Sequence, residues 1–129
     1  MRSIRVLLVD SSRSFLNAAA SFLDAYPTIE VVGVIVSGCE VVAMSVALAP
    51  DLVLIDLDMP DVSGLAVLVR PKALTNAPHV VIVTDFDLLP YRDLAATLRA
   101  DGFIAKRDFC AQVMPTIGAL FALPPAVAT

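Results

Sequence analysis

Charge is scarce in this chain, and positive charge scarcer still. Only 17% of the 129 residues are charged, with 13 acids against 9 bases and a formal net charge of −4. No basic run is longer than Lys106-Arg107, which argues against direct nucleic-acid binding. Histidine occurs once, at His79, with neither a second histidine nor a nearby cysteine; it reads as a strand-edge or core residue, not a ligand or general base. Cys39 and Cys110 stand alone, without metal-ligand spacing or a disulfide framework, and read as buried or idle free thiols in a reducing cytoplasm. The five glycines, Gly33, Gly38, Gly64, Gly102 and Gly118, form no phosphate-cradling loop. No stretch approaches the roughly 18 apolar residues of a membrane span. The run "VLLV" after Arg2 and Arg5 is too short for a signal-peptide core.

Apolar side chains are abundant, at 58% of residues, in a chain whose length suits one domain. They fall into short β-branched runs separated by longer helix-like segments. "IRVLLVD" (4–10), "IEVVGVIV" (29–36), "LVLID" (52–56), "HVVIVT" (79–84) and "GFIAK" (102–106) predict strands, several apolar on both faces as in a parallel sheet covered by helices. Ser37 with Glu40 spells a capping box, Ser63 and Asp108 are good N-caps, and Pro27, Pro50 and Pro78 each mark the end of a helix. Phe15, Phe22 and Leu23 recur at helical spacing as a core face, and Pro71 should end or kink the third helix near Arg70. The pattern is five βα units in a doubly wound α/β domain, followed by the tail "LPPAVAT".

The stretch "DLVLIDLDMPDVSG" ends a buried strand in three acids, Asp56, Asp58 and Asp61. In an open parallel sheet the site lies off the carboxyl ends of the strands, where strand order reverses and neighbouring loops diverge. Asp10 closes the first strand, Asp56 the third, Thr84 the fourth and Lys106 the fifth, so four chemically capable side chains meet at one edge. A polar residue at one strand end is ordinary; four together indicate a site.

The motifs "LLVDSS", "LVLIDLDMPDVSGL", "VVIVT" and "ADGFIAK", in this order and at these intervals, resemble the receiver domains of two-component response regulators, including the NarL type. The resemblance covers essentially residues 3–122. It implies a flavodoxin-like (βα)5 sheet of order 2-1-3-4-5, a receiver over residues 1–122, and a tail or linker start over 123–129. It implies a signalling protein rather than an enzyme, accepting a phosphoryl group from a histidine kinase or phosphotransfer protein and acting on an output domain or partner. By position, Asp56 is the phosphoacceptor, Asp10 and Asp56 belong to a magnesium site with Asp58 contributing its backbone carbonyl, Thr84 and Lys106 bind phosphate, and Phe103 stands where the switching aromatic does. The chemistry is consistent. A carboxylate approaching phosphorus is repelled by the phosphoryl oxygens, and a divalent cation and a lysine ammonium relieve that repulsion. Asp61 is then a helix cap or simply solvated.

The departures are specific. Ser11 stands where the family carries a second acid, which predicts weak magnesium binding and slow phosphorylation. Asp85 follows Thr84 where a small residue is usual, and should pair with Lys106 or repel a phosphoryl group. Arg107 replaces a frequent proline, with little consequence. A degenerate receiver that binds its partner in one fixed state is therefore a second reading. A haloacid-dehalogenase-type phosphatase is a third, disfavoured because its "DLD" would lie on the first strand. The chain from Phe109 to Thr129 carries no charge, and 41–50 is equally uncharged, which predicts an apolar face and a homodimer or partner. The alternative is that Pro115 and Gly118 break the last helix and fold its side chains inward.

Overall fold

Runs that are apolar on successive residues have no solvent face to offer, so they form strands only where both faces of the sheet are covered. The computed structural model describes residues 2–56, 77–85, 93, 99–124 and 128. Within these, the five runs form β1 (Ile4–Val9), β2 (Ile29–Ile35), β3 (Leu52–Ile55), β4 (His79–Thr84) and β5 (Gly102–Ala105), all parallel, in the order β2-β1-β3-β4-β5. This is the expected flavodoxin-like sheet. Side chains alternate strictly between its faces. Val6, Leu8, Leu52, Leu54, Val81, Val83 and Ile104 pack on one face, and Leu7, Val9, Val53, Ile55, Val80 and Ile82 on the other.

Helix α1 (Arg13–Asp24) lies on the first face with Leu16, Ala19 and Leu23 buried, the spacing that one stripe of a helix presents. Beside it lies the C-terminal helix (Phe109–Phe121), burying Phe109, Val113, Met114 and Ile117. Each such side chain contributes roughly 1.5–3 kcal/mol of transfer free energy. Helix α2 (Val41–Leu48) covers the opposite face through Val41 and is apolar on its outside too, leaving Val46 66% exposed. Gly33 makes its close approach possible. A register shift between Val6 and Leu7 places Leu7 opposite Gly33, where a Cβ would stand 2.8 Å from Leu48 Cδ1 and 3.0 Å from Leu7 Cδ1.

Several local expectations are corrected. Ser37 makes no capping bond; it opens a short 3-10 turn, and its hydroxyl contacts Cys39 Sγ at 2.9 Å. Asp108 caps nothing with its side chain. The C-terminal helix runs through Pro115 and Gly118 unbroken, and ends at Ala122, whose left-handed backbone (φ 53°) lets Ala122 and Leu123 both donate to the Gly118 carbonyl. The helical segments expected between β3 and β4 and between β4 and β5 fall largely outside the described residues, as do Asp58, Asp61, Ser63 and Pro71.

Candidate functional site

Asp10 and Asp56 are the first residues past two adjacent strands. Each backbone N–H still completes the ladder, Asp10 to the Ile35 carbonyl and Asp56 to the Val9 carbonyl, both at 3.0 Å. The side chains therefore start from a fixed sheet edge. Both continue the two-residue phase of the face that α1 covers, and both are buried, Asp10 at 1% and Asp56 at 6% exposure. Lys106 continues the same phase from β5 and enters a 3-10 turn (Lys106–Asp108). Its ammonium lies 2.7 Å from Asp10 Oδ2 and 3.3 Å from Asp56 Oδ2.

One cation thus serves two carboxylates whose near oxygens are no more than about 6 Å apart, given these two distances. The cluster carries a net charge of −1. Burial, the largest single influence on the Lys106 ammonium, pulls its pKa down; the short Asp10 contact and the charges of Asp56 and Asp10 outweigh it and hold the pKa above the ordinary lysine value. Asp10 Oδ2 is buried and accepts no well-directed hydrogen bond, so its contact with Lys106 is an ion pair only. Thr84 is fully buried at the end of β4, in register with Ala105 and so one residue from Lys106. Phe103 is half-buried and packs with the cluster on the other face of the sheet.

Asp85 does not pair with Lys106. It is exposed, while the ammonium faces Asp10 and Asp56 instead. Ser11 is exposed at the rim. His79 begins β4 at the opposite end of the sheet, 3.5 Å from Asp101 and edge-on to Phe121, in a structural setting. Two residues at the site escaped the sequence reading. Ser12 donates its N–H to Asp10 Oδ1 at 2.8 Å, and its hydroxyl accepts from Phe15 N–H at 3.3 Å as the N-cap of α1. Phe15 places its ring centroid 4.7 Å from Lys106 Nζ. An Asp followed two residues later by Ser is an Asx-turn signal that could have located the first.

Among the described residues no group of three or more His, Cys, Asp or Glu is placed to hold a metal. The pair Asp10 and Asp56 nevertheless supplies the one or two carboxylates that a magnesium ion uses beside water, although Asp10 Oδ2 would have to give up its 2.7 Å contact with Lys106 to serve as a ligand.

A model of the response regulator receiver domain matches residues 6–114, a span that contains Asp10, Asp56 and Lys106. The chain belongs to the response regulator receiver family. It is 37% identical over 97 residues to protein-glutamate methylesterase/protein-glutamine glutaminase 2 of Methanospirillum hungatei, covering 75% of this chain and 27% of that protein. It is 36% identical over 83 residues to the transcriptional regulatory protein LiaR of Bacillus subtilis, covering 64% of this chain and 39% of that one. The receiver thus spans well under half the length of these curated relatives. The response regulator domain of Thermotoga maritima CheB superposes with a TM-score of 0.85 at 24% identity, over 96% of this chain and 100% of that domain. As a receiver, the chain is a component of two-component signalling.

Proposed function

We propose that this receiver accepts a phosphoryl group on Asp56 from a phosphohistidine protein and so changes the affinity of a protein partner. The observation that carries the reading is the buried Asp10–Lys106–Asp56 cluster at the carboxyl edge of the sheet. An Asp56 carboxylate oxygen attacks phosphorus, the P–N bond to the imidazole breaks, and an acyl phosphate forms while the imidazole takes up a proton. Lys106 offers a point charge to the phosphoryl oxygens, Thr84 a hydroxyl donor, and Phe103 the aromatic that responds. Asp10, Asp56 and the carbonyl of residue 58 would hold magnesium. When bound, it supplies charge neutralisation for the incoming group. The receiver unit is residues 1–122, acting in the cytoplasm; no helix among the described residues is long and apolar enough to cross a membrane.

The uncharged outer side of the C-terminal helix supports a protein partner or a second copy. There Cys110, Ala111, Pro115 and Ala119 line a cleft of about 620 Å³ against Tyr26.

A second reading, a receiver fixed in one state, is favoured by the exposed Ser11 and by the Lys106 ammonium already being paired with both carboxylates. Mass spectrometry after exposure to acetyl phosphate and magnesium separates the two. Slow uptake of one phosphoryl group by the wild type, none by Asp56→Asn, and faster uptake with roughly 10- to 100-fold tighter magnesium binding in Ser11→Asp support phosphotransfer. No uptake by either the wild type or Ser11→Asp refutes it.

A further inference from the structure

Phe15 reads in the sequence as one member of a helical core stripe, yet it is only half-buried, and its ring faces a charge. We propose that Phe15 is a positioning residue of the site, its ring holding the Lys106 ammonium in place against Asp10 and Asp56. At 4.7 Å from the ring centroid, the ammonium is within the range at which the negative face of an aromatic ring attracts a cation. The Lys106 side chain is 12% exposed, so this attraction acts with little water to compete.

The ring is held from two sides. Phe109, three residues after Lys106 and itself buried, meets it edge-on at 5.4 Å with an interplanar angle of 83°. The backbone of Phe15 is fixed by the Ser12 cap, and the Ser12 N–H is fixed on Asp10 Oδ1. Asp10, Ser12, Phe15 and Lys106 therefore form a closed circuit in which each contact constrains the next. An aliphatic side chain at position 15 fills similar space but offers the ammonium no electron-rich face. With Asp10 and Asp56 as anionic partners and the ring as a third contact, the ammonium rests beside the carboxylate that is to be modified.

The effect on phosphoryl transfer rests on the proposed function; the effect on the ammonium does not. The test follows the order of the Lys106 side chain by carbon and nitrogen NMR relaxation, and phosphoryl uptake from acetyl phosphate, in wild type, Phe15→Leu and Phe15→Tyr, with thermal unfolding as a check of the fold. In Phe15→Leu, the ammonium end of Lys106 should be less ordered than in wild type and uptake should slow about fivefold, the equivalent of about 1 kcal/mol. Phe15→Tyr, which keeps a ring, should restore both. Lys106 as well ordered in Phe15→Leu as in wild type, or Phe15→Tyr losing as much as Phe15→Leu, overturns the assignment. Should Phe15→Leu fail to fold, Phe15→Met carries the same expectation. Absence of phosphoryl uptake by both wild type and Ser11→Asp refutes the transfer reading alone, and the side-chain order then decides the role of Phe15 by itself.

Discussion

Replacing Lys106 with methionine removes the only cation that contacts both buried carboxylates among the described residues. At an effective dielectric of about 20, contacts of 2.7 and 3.3 Å correspond to roughly 6 and 5 kcal/mol of attraction, and two carboxylate oxygens no more than about 6 Å apart repel by at least roughly 3 kcal/mol. Deleting the ammonium forfeits the attraction, recovers several kcal/mol of its own desolvation, and leaves the repulsion uncompensated. A net loss of about 3 kcal/mol results. With a slope of about 2 kcal/mol per molar, the urea midpoint falls by about 1.5 M in metal-free buffer near pH 8. Asp10→Asn behaves oppositely, because it leaves a neutral Lys106–Asp56 pair and lifts the repulsion; its stability should lie within about 1 kcal/mol of wild type. A Lys106→Met midpoint matching wild type refutes the reasoning.

Two further outcomes follow from the same geometry. Ser12→Ala loses the cap on Phe15 N–H and should cost about 1 kcal/mol in urea unfolding. Because the folded pKa of Lys106 is raised, its contribution is fully present below the unfolded lysine value of about 10.4 and is lost as pH rises through the folded one. Wild type should therefore lose stability above about pH 10 more steeply than Lys106→Met, measured by the same unfolding assay.

The sheet was legible because both of its faces are covered, so its strands read as unbroken apolar runs. The structure ends β1, β3 and β5 one residue earlier than the sequence reading, at Val9, Ile55 and Ala105, although the Asp10 and Asp56 N–H groups still bond to the neighbouring strands. The convergence of these three was legible for the same reason: a polar residue after a buried strand has only the sheet edge to occupy. Capping was not legible. Ser37 with Glu40 fits the motif better than Ser12, but the backbone at Ser12 (φ −90°, ψ 107°) leads directly into α1, while Ser37 leads into a 3-10 turn. The alternative of a helix broken at Pro115 fails because a proline removes one hydrogen bond without forbidding a helix whose Val113, Met114 and Ile117 are anchored in the core. Nor could sequence spacing show that Lys106 would face Asp10 rather than Asp85, or that Phe15 would meet it, since both depend on how β5 and α1 lie across the sheet.

The separation of 50 residues between Asp56 and Lys106 also sets a timetable during synthesis. A ribosome adding roughly 5–20 residues per second delivers Lys106 about 2.5–10 s after Asp56. Through that interval the nascent chain already contains β1, β2 and β3, with Asp10 and Asp56 at their ends, but not the ammonium that contacts both carboxylates. Docking of β5, an edge strand of the sheet, therefore brings that ammonium as well as the last rung.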